Sequence, residues 1–300
     1  MNYKIGIYGD HEHSDLILVN PAGKICATRS TIGCNPDLFL DQDTIRSVLL
    51  EKLAELAAHA KSEHADAVIA HTALCLPGHL KFWEGIVARL HHFSPASAHA
   101  NFVPALEQAT KGKKGILIDC DHLRSLVAAR DEDDKIHYAG NLGCRLNDPG
   151  SNYDIGCQAL TCTLAELQGW SEPSDLGRAI CAAMKTSDPV LLSTKLDSPS
   201  VSNQQIADLA EVVIAMATKG DDVAQAVIHN SVSEIADLAF TVRESLFGED
   251  AKATIGLRGR ILQSTPIRET LLQVLGPKTK FIPITDAPTE GLRAMLVRMG

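Results

Sequence analysis

Asp10-His11-Glu12-His13 places two carboxylates and two imidazoles in four consecutive positions. Imidazole and carboxylate are natural ligands for a divalent metal, and on a strand or tight turn His11 and His13 share a face. No third ligand at a fixed spacing accompanies them. With twelve histidines in the chain, clusters also arise by chance, so a solvated turn is the competing reading and no metal is assigned. Arg258-Gly259-Arg260 offers two guanidinium groups to an anion. Asp148-Pro149-Gly150-Ser151 precedes a helical pattern, where Ser and Asp serve as helix caps for structural reasons alone. Asp131-Glu132-Asp133-Asp134 lacks the spacing and glycine of a calcium loop and reads as a solvated hairpin turn. Cys157 and Cys162 are too far apart on a helix to share a metal and read as core. The Gly-x-Ser-x-Gly, zinc-protease and dinucleotide fingerprints are absent.

The elements that must carry these residues follow from periodicity. Residues 3–8, 15–20 and 24–31 form an apolar meander, with Asn20-Pro21-Ala22-Gly23 as one turn. Ile45, Val48, Leu49, Leu53 and Leu56 recur at helical spacing over 43–59. A buried strand is expected at 66–75, and Pro77-Gly78 leads from it into a helix reaching about 91. Phe102–Ala109 reads as a helix. Strands are expected at 116–119, 123–128 and 136–139, so the order of the first block repeats. Helices follow at about 151–168, 174–185, 203–218 and 221–247. A strand at 253–257, a helix at 267–274, a strand at 280–283 and a helix from 289 complete the pattern.

Composition bounds the function. The 300 residues suffice for two ordinary domains. Hydrophobic and charged fractions of 45% and 22% are those of a soluble globular protein, and 4% aromatics leave a core of small aliphatics. A formal charge of −9, with no basic cluster longer than Lys111–Lys114, argues against nucleic-acid binding. No uncharged apolar run is long enough to span a membrane, and the N-terminus reads as a strand and not as a leader. The eight cysteines include no C-x-x-C pair and are expected to be reduced thiols of a cytoplasmic chain.

Residues 140–156, Gly-Asn-Leu-Gly-Cys-Arg-Leu-Asn-Asp-Pro-Gly-Ser-Asn-Tyr-Asp-Ile-Gly, resemble the pattern G-G-W-G-x-x-x-G-D-E-G-S-G-x-x-I-G. That pattern belongs to the N-acetylglucosamine-kinase-like ATPases of the BadF/BadG type. The Asn20–Lys24 turn, the small-residue loop Thr31–Pro36, and residues 99–118 and 251–275 also line up, so the resemblance runs along essentially the whole chain. It implies an α/β fold of two RNase-H-like, actin-like domains flanking a cleft, the second with added helices. The implied division is 1–101 with a returning helix at 289–300, and 102–288. It implies a homodimer, a sugar or small metabolite as ligand, and ATP with magnesium if the protein is active. On the sugar side the matching positions are Asn35, Gly143, Asp148 and Ser151, with Leu142 in place of the family's Trp and Pro149 in place of its Glu.

On the nucleotide side this chain departs from the family. The first phosphate loop, D-G-G-G-T-K in the family, is Tyr8-Gly9-Asp10-His11-Glu12-His13, where only Gly9 matches. The second, S-G-T-G-S, is Cys120-Asp121-His122-Leu123-Arg124. The adenosine-side region, which carries a G-G after a strand in the family, is Leu257-Arg258-Gly259-Arg260. The family's base, an Asp, falls at Asn101, whose amide accepts no proton at neutral pH. Asp121 is a rival candidate, in a register that deletes most of a hairpin. Loss of a general base costs about 10²–10⁴ in rate, and loss of a charge-stabilising donor about 10²–10³. The expectation is therefore a catalytically silent or strongly diverged relative of the amino-sugar kinases. An active kinase using Asp121 or Asp10, and an assembly subunit with an occluded cleft, are the alternatives.

Overall fold

Alternation in the first strand decides the first sheet. Tyr3, Ile5 and Ile7 of β1 (Asn2–Gly9) point to one face and are 0–2% exposed, while Gly6 on the other face lets a helix approach. β2 (His13–Val19) and β3 (Ile25–Ile32) continue the meander antiparallel. In the turn between them the Asn20 carboxamide oxygen accepts the Ala22 and Lys24 amides at 3.0 Å each. The computed structural model describes residues 1–10, 13–34, 41–93, 95–146, 148–248, 254–276 and 279–299. Asp41 caps α1 (Gln42–Glu63), whose buried row Ile45, Leu49, Leu53 and Leu56 covers the Tyr3–Ile7 face. β4 (Val68–Leu76) and α2 (Leu80–Val87) follow, and buried Trp83 donates its indole N–H to the Pro77 carbonyl at 2.7 Å.

The sheet closes with β5 (Ala96–Ala100), giving the order β3-β2-β1-β4-β5 with β1, β4 and β5 parallel. No strand is expected at β5, because Ala-Ser-Ala-His-Ala has none of the β-branched or aromatic residues that mark strands. Two helices complete this unit, α3 (Val103–Thr110) and α10 (Pro288–Arg298). Leu292 and Leu296 pack on Gly6, and Arg298 donates to the buried Glu107 carboxylate at 3.1 Å. The first unit thus comprises Met1–Gly112 and Thr285–Gly300. The expected boundary at 101 falls earlier than this crossover at 112, since α3 packs on α10 and belongs with the first sheet.

The second unit, Lys113–Ile284, repeats the plan. β6 (Gly115–Cys120), β7 (Ser125–Arg130) and β8 (Ile136–Gly140) form the meander, and β9 (Thr254–Arg258) and β10 (Lys280–Ile284) add parallel strands. The order β8-β7-β6-β9-β10 matches that of the first sheet strand for strand. The strand expected from 123 begins at Ser125, because Leu123 and Arg124 are spent on the preceding turn. Between β8 and β9 lie α4 (Asn152–Leu167), α5 (Asp175–Met184), α6 (Pro189–Leu196), α7 (Asn203–Thr218) and α8 (Asp222–Phe247), each opened by a Ser or Asp cap. α6 is not expected from periodicity, since Val190 and Leu191 are exposed and break the apolar stripe. α9 (Thr265–Leu275) joins β9 to β10. Among the described residues no helix is long and apolar enough to cross a membrane.

Candidate functional site

In each unit the C-terminal ends of the parallel strands share one edge, which is where ligands bind in α/β sheets. Register places Tyr8 beside Cys75 and Leu76 beside Ala100 in the first unit. Gly9-Asp10 and Asn101 therefore emerge at the same edge. Gly9 is required by packing, since a Cβ there would lie 2.5 Å from the Leu76 side chain and 2.6 Å from Ser14 Oγ. Asp10 folds the β1–β2 turn on itself. Its amide donates to the His13 carbonyl at 3.0 Å, and its Oδ1 accepts the His13 amide at 2.9 Å. The His13 ring lies between two carboxylates, 3.3 Å from Asp10 and 3.6 Å from Asp15. Among the described residues no group of three or more His, Cys, Asp or Glu could hold a metal. His11, Glu12 and Asn35 lie outside the described residues. Asn101 sits half-buried in the turn from β5 to α3.

The equivalent edge of the second unit is more fully built. The β6–β7 turn repeats both bonds of the Asp10 turn and adds a third. The Asp121 amide donates to the Arg124 carbonyl at 2.9 Å, and Asp121 Oδ1 accepts the amides of Leu123 at 3.0 Å and Arg124 at 2.8 Å. The start of α4 grips this turn. Asn152 and Tyr153 donate their amides to the carbonyls of Asp121 and His122 at 3.2 and 2.9 Å, and the Asn152 carboxamide lies 3.3 Å from the His122 ring. The first amides of the helix are thereby satisfied by protein carbonyls.

The loop from β8 to α4 is organised by Asp148, which is 1% exposed. Its Oδ1 accepts the Leu142 amide at 2.8 Å and its Oδ2 the Gly143 amide at 2.9 Å. Gly143 and Gly150 adopt φ of +89° and +80°, which a side chain would strain. Ser151 caps α4 by accepting the Asp154 amide at 3.2 Å, and the Gly150 amide donates to Ser231 Oγ at 3.0 Å. Ser125 ties this loop to the hairpin by donating to the Pro149 carbonyl at 2.6 Å. Leu142 and Leu146 stay outside at 61% and 70% exposure.

The floor of this edge is an ion pair that sequence reading does not single out. Asp119 Oδ2 lies 3.2 Å from Arg258 Nη1, across the β6–β9 register. Burial raises the Asp119 carboxyl to about 6, the Arg258 charge opposing and the Asp121 charge reinforcing the shift. A carboxylate ending an otherwise apolar strand is the available sequence signal. Burial also lifts the Cys120 thiol well above its usual range, and Asp119, Asp121, Asp148 and Asp154 add to it, so this edge is rich in negative charge. Gly259, at φ +122°, presses its backbone on Cys120, where a Cβ would stand 1.9 Å from the carbonyl oxygen. Arg260 pairs with Glu211. Both arginines read as anion ligands from sequence are thus engaged with carboxylates.

Gly9, Asp10 and Asn101 gather at the edge of the first sheet, and Asp121, Gly143, Asp148, Ser151 and Gly259 at that of the second. These residues are fitted for holding backbone, turning hairpins and capping a helix. A nucleotide phosphate needs free amides and little negative charge, and the described residues of the two turns do not fit it.

No protein-family model matches the chain. Among curated proteins, the N-acetylmuramic acid/N-acetylglucosamine kinase of Clostridium acetobutylicum is 24% identical over 160 residues, 53% of this chain. The chain matches about half, 52%, of that relative's length. Among solved structures, a provisionally assigned N-acetylglucosamine kinase of Chromobacterium violaceum superposes with TM-score 0.68 at 19% identity over 99% of both chains. A ROK family glucokinase of Streptomyces griseus, in complex with glucose and AMPPNP, superposes with TM-score 0.55 at 14% identity, over 99% of this chain and 100% of its own. The chain has the fold of the sugar-kinase-like ATPases, and the resemblance read from residues 140–156 is borne out at the level of fold.

Proposed function

We propose that this protein binds a sugar or small metabolite and does not phosphorylate it. It would be a diverged relative of the amino-sugar kinases with a sensing role. One observation carries it: the Asp121 carboxylate occupies the Leu123 and Arg124 amides of the β6–β7 turn, the turn that the resemblance equates with a phosphate cradle. An anion there meets a fixed like charge at contact distance, with its donors already taken. Asp10 does the same to the His13 amide. Asn101, at the family's base position, cannot take a hydroxyl proton. On the ligand side, the Asp148-braced loop keeps its shape through buried bonds.

An active kinase is the second reading. The relatives' names favour it, as does Asp121 Oδ2, which has no protein partner among the described residues and would be the replacement base. Against it, the described residues of the two turns do not fit the phosphates of ATP.

The test is a thermal-shift screen with a coupled ADP assay on the whole chain. Stabilisation by N-acetylglucosamine, glucosamine or a related sugar, with none by Mg-ATP and no sugar-dependent ADP, is the expected result. Sustained sugar-dependent ADP release sinks the silent reading and establishes the kinase. Response to neither ligand favours an assembly subunit.

A further inference from the structure

His71 on β4 and His99 on β5 both reach for Ser97. His71 Nε2 lies 2.9 Å from Ser97 Oγ, and His99 Nε2 lies 2.8 Å from the same oxygen. Register pairs Ala73 with Ser97 and Cys75 with His99, so the three side chains stand on one face of the first sheet. All three are half-buried.

A hydroxyl carries one proton. Ser97 therefore donates to one imidazole and accepts from the other, and at least one ring nitrogen aims a lone pair at the shared point. Two imidazole nitrogens within hydrogen-bond distance of one hydroxyl oxygen put three donor atoms side by side. A cation held by both rings would take the Nε2 lone pair of each and a lone pair of the hydroxyl oxygen. The ring that donated carries its proton on Nδ1 instead, and the hydroxyl keeps its own, turned to solvent, with the three atoms opening to fit metal–nitrogen bonds of about 2.0–2.1 Å. Imidazole favours zinc, copper and nickel over magnesium or calcium. The neutral ring is the ligand form. Among the described residues no further His, Cys, Asp or Glu joins to make a group of three.

We propose that His71, His99 and Ser97 form a binding site for one divalent transition-metal ion, of the zinc, copper or nickel class. The ion would staple β5, the edge strand of the first sheet, to β4.

Metal-stripped full-length chain is titrated calorimetrically with Zn²⁺ and, separately, with Cu²⁺ followed by electron paramagnetic resonance. One ion per chain with a two-nitrogen copper signal is expected. His71→Asn and His99→Asn, checked for unchanged circular dichroism, should each weaken binding by at least about tenfold, while His13→Asn should not. Absence of saturable binding, or binding that survives both substitutions on β4 and β5, overturns the proposal. If one variant misfolds, the other decides.

Discussion

The Asp119 carboxyl should make the stability of the second unit fall as pH rises from 4 to 7. Burial raises its pKa from 3.8 to about 6 in the folded chain, so the folded state holds a proton that the unfolded state releases. The stabilisation is fully present below about 3.8 and is lost as pH passes through about 6. With roughly 1.4 kcal/mol per pKa unit, the shift is worth about 3 kcal/mol across that window. Its side chain is 13% exposed, so solvent screening trims this only modestly. Asp119→Asn keeps a polar group beside Arg258 and removes the titration. Urea unfolding of both proteins at steps of pH, taken as a difference, cancels the titrating groups not coupled to Asp119. The difference should change by up to about 3 kcal/mol between pH 4 and 7, with the wild type losing ground. Asp121→Asn removes the neighbouring repulsion and should move the midpoint of the change downward. A flat difference profile, or a ¹³C carboxyl resonance of Asp119 titrating near 4, refutes the reasoning.

Three further outcomes follow from packing. Gly259→Ala sets a Cβ 1.9 Å from the Cys120 carbonyl at a φ of +122°; thermal melts should show a loss of more than about 3 kcal/mol. Asp148→Ala frees the Leu142 and Gly143 amides and should cost about 2–4 kcal/mol. Hydrogen exchange at these two amides should accelerate in that variant, and unchanged protection would show that the loop is held by other means. Cys34, Cys75 and Cys120 are at most 1% exposed, and burial pushes all three thiols up. Iodoacetamide should spare them in native protein and label them in denaturant, as read by peptide mass.

The meander strands and the long helices were legible because their apolar residues recur at clean periods, as in Tyr3, Ile5 and Ile7 or Ile45, Leu49, Leu53 and Leu56. β5 was not, because Ala-Ser-Ala-His-Ala is held as a strand by its neighbour β4 and not by its own preferences. The site was legible as a set of positions and illegible as a set of bonds. Nothing in Cys120-Asp121-His122 says that the carboxylate bends back onto its own turn; that follows from the hairpin geometry. Ser151 as a helix cap follows from its place before an apolar run. Asp148 as the brace of Leu142 and Gly143, and Asp119 as the partner of Arg258, depend on contacts across 5 and 139 positions of chain.

α10 completes the first sheet, yet residues 288–298 leave the ribosome only after all of the second unit has been made. Until then the Gly6 face of β1 lacks Leu292 and Leu296, and Glu107 lacks the guanidinium of Arg298. The second unit is a continuous stretch and can fold as soon as it emerges, whereas the first must wait with an open apolar surface. Synthesis order and folding order are thus inverted. A chain halted near residue 285 would carry a finished second unit and an unfinished first one, exposed to chaperones and proteases.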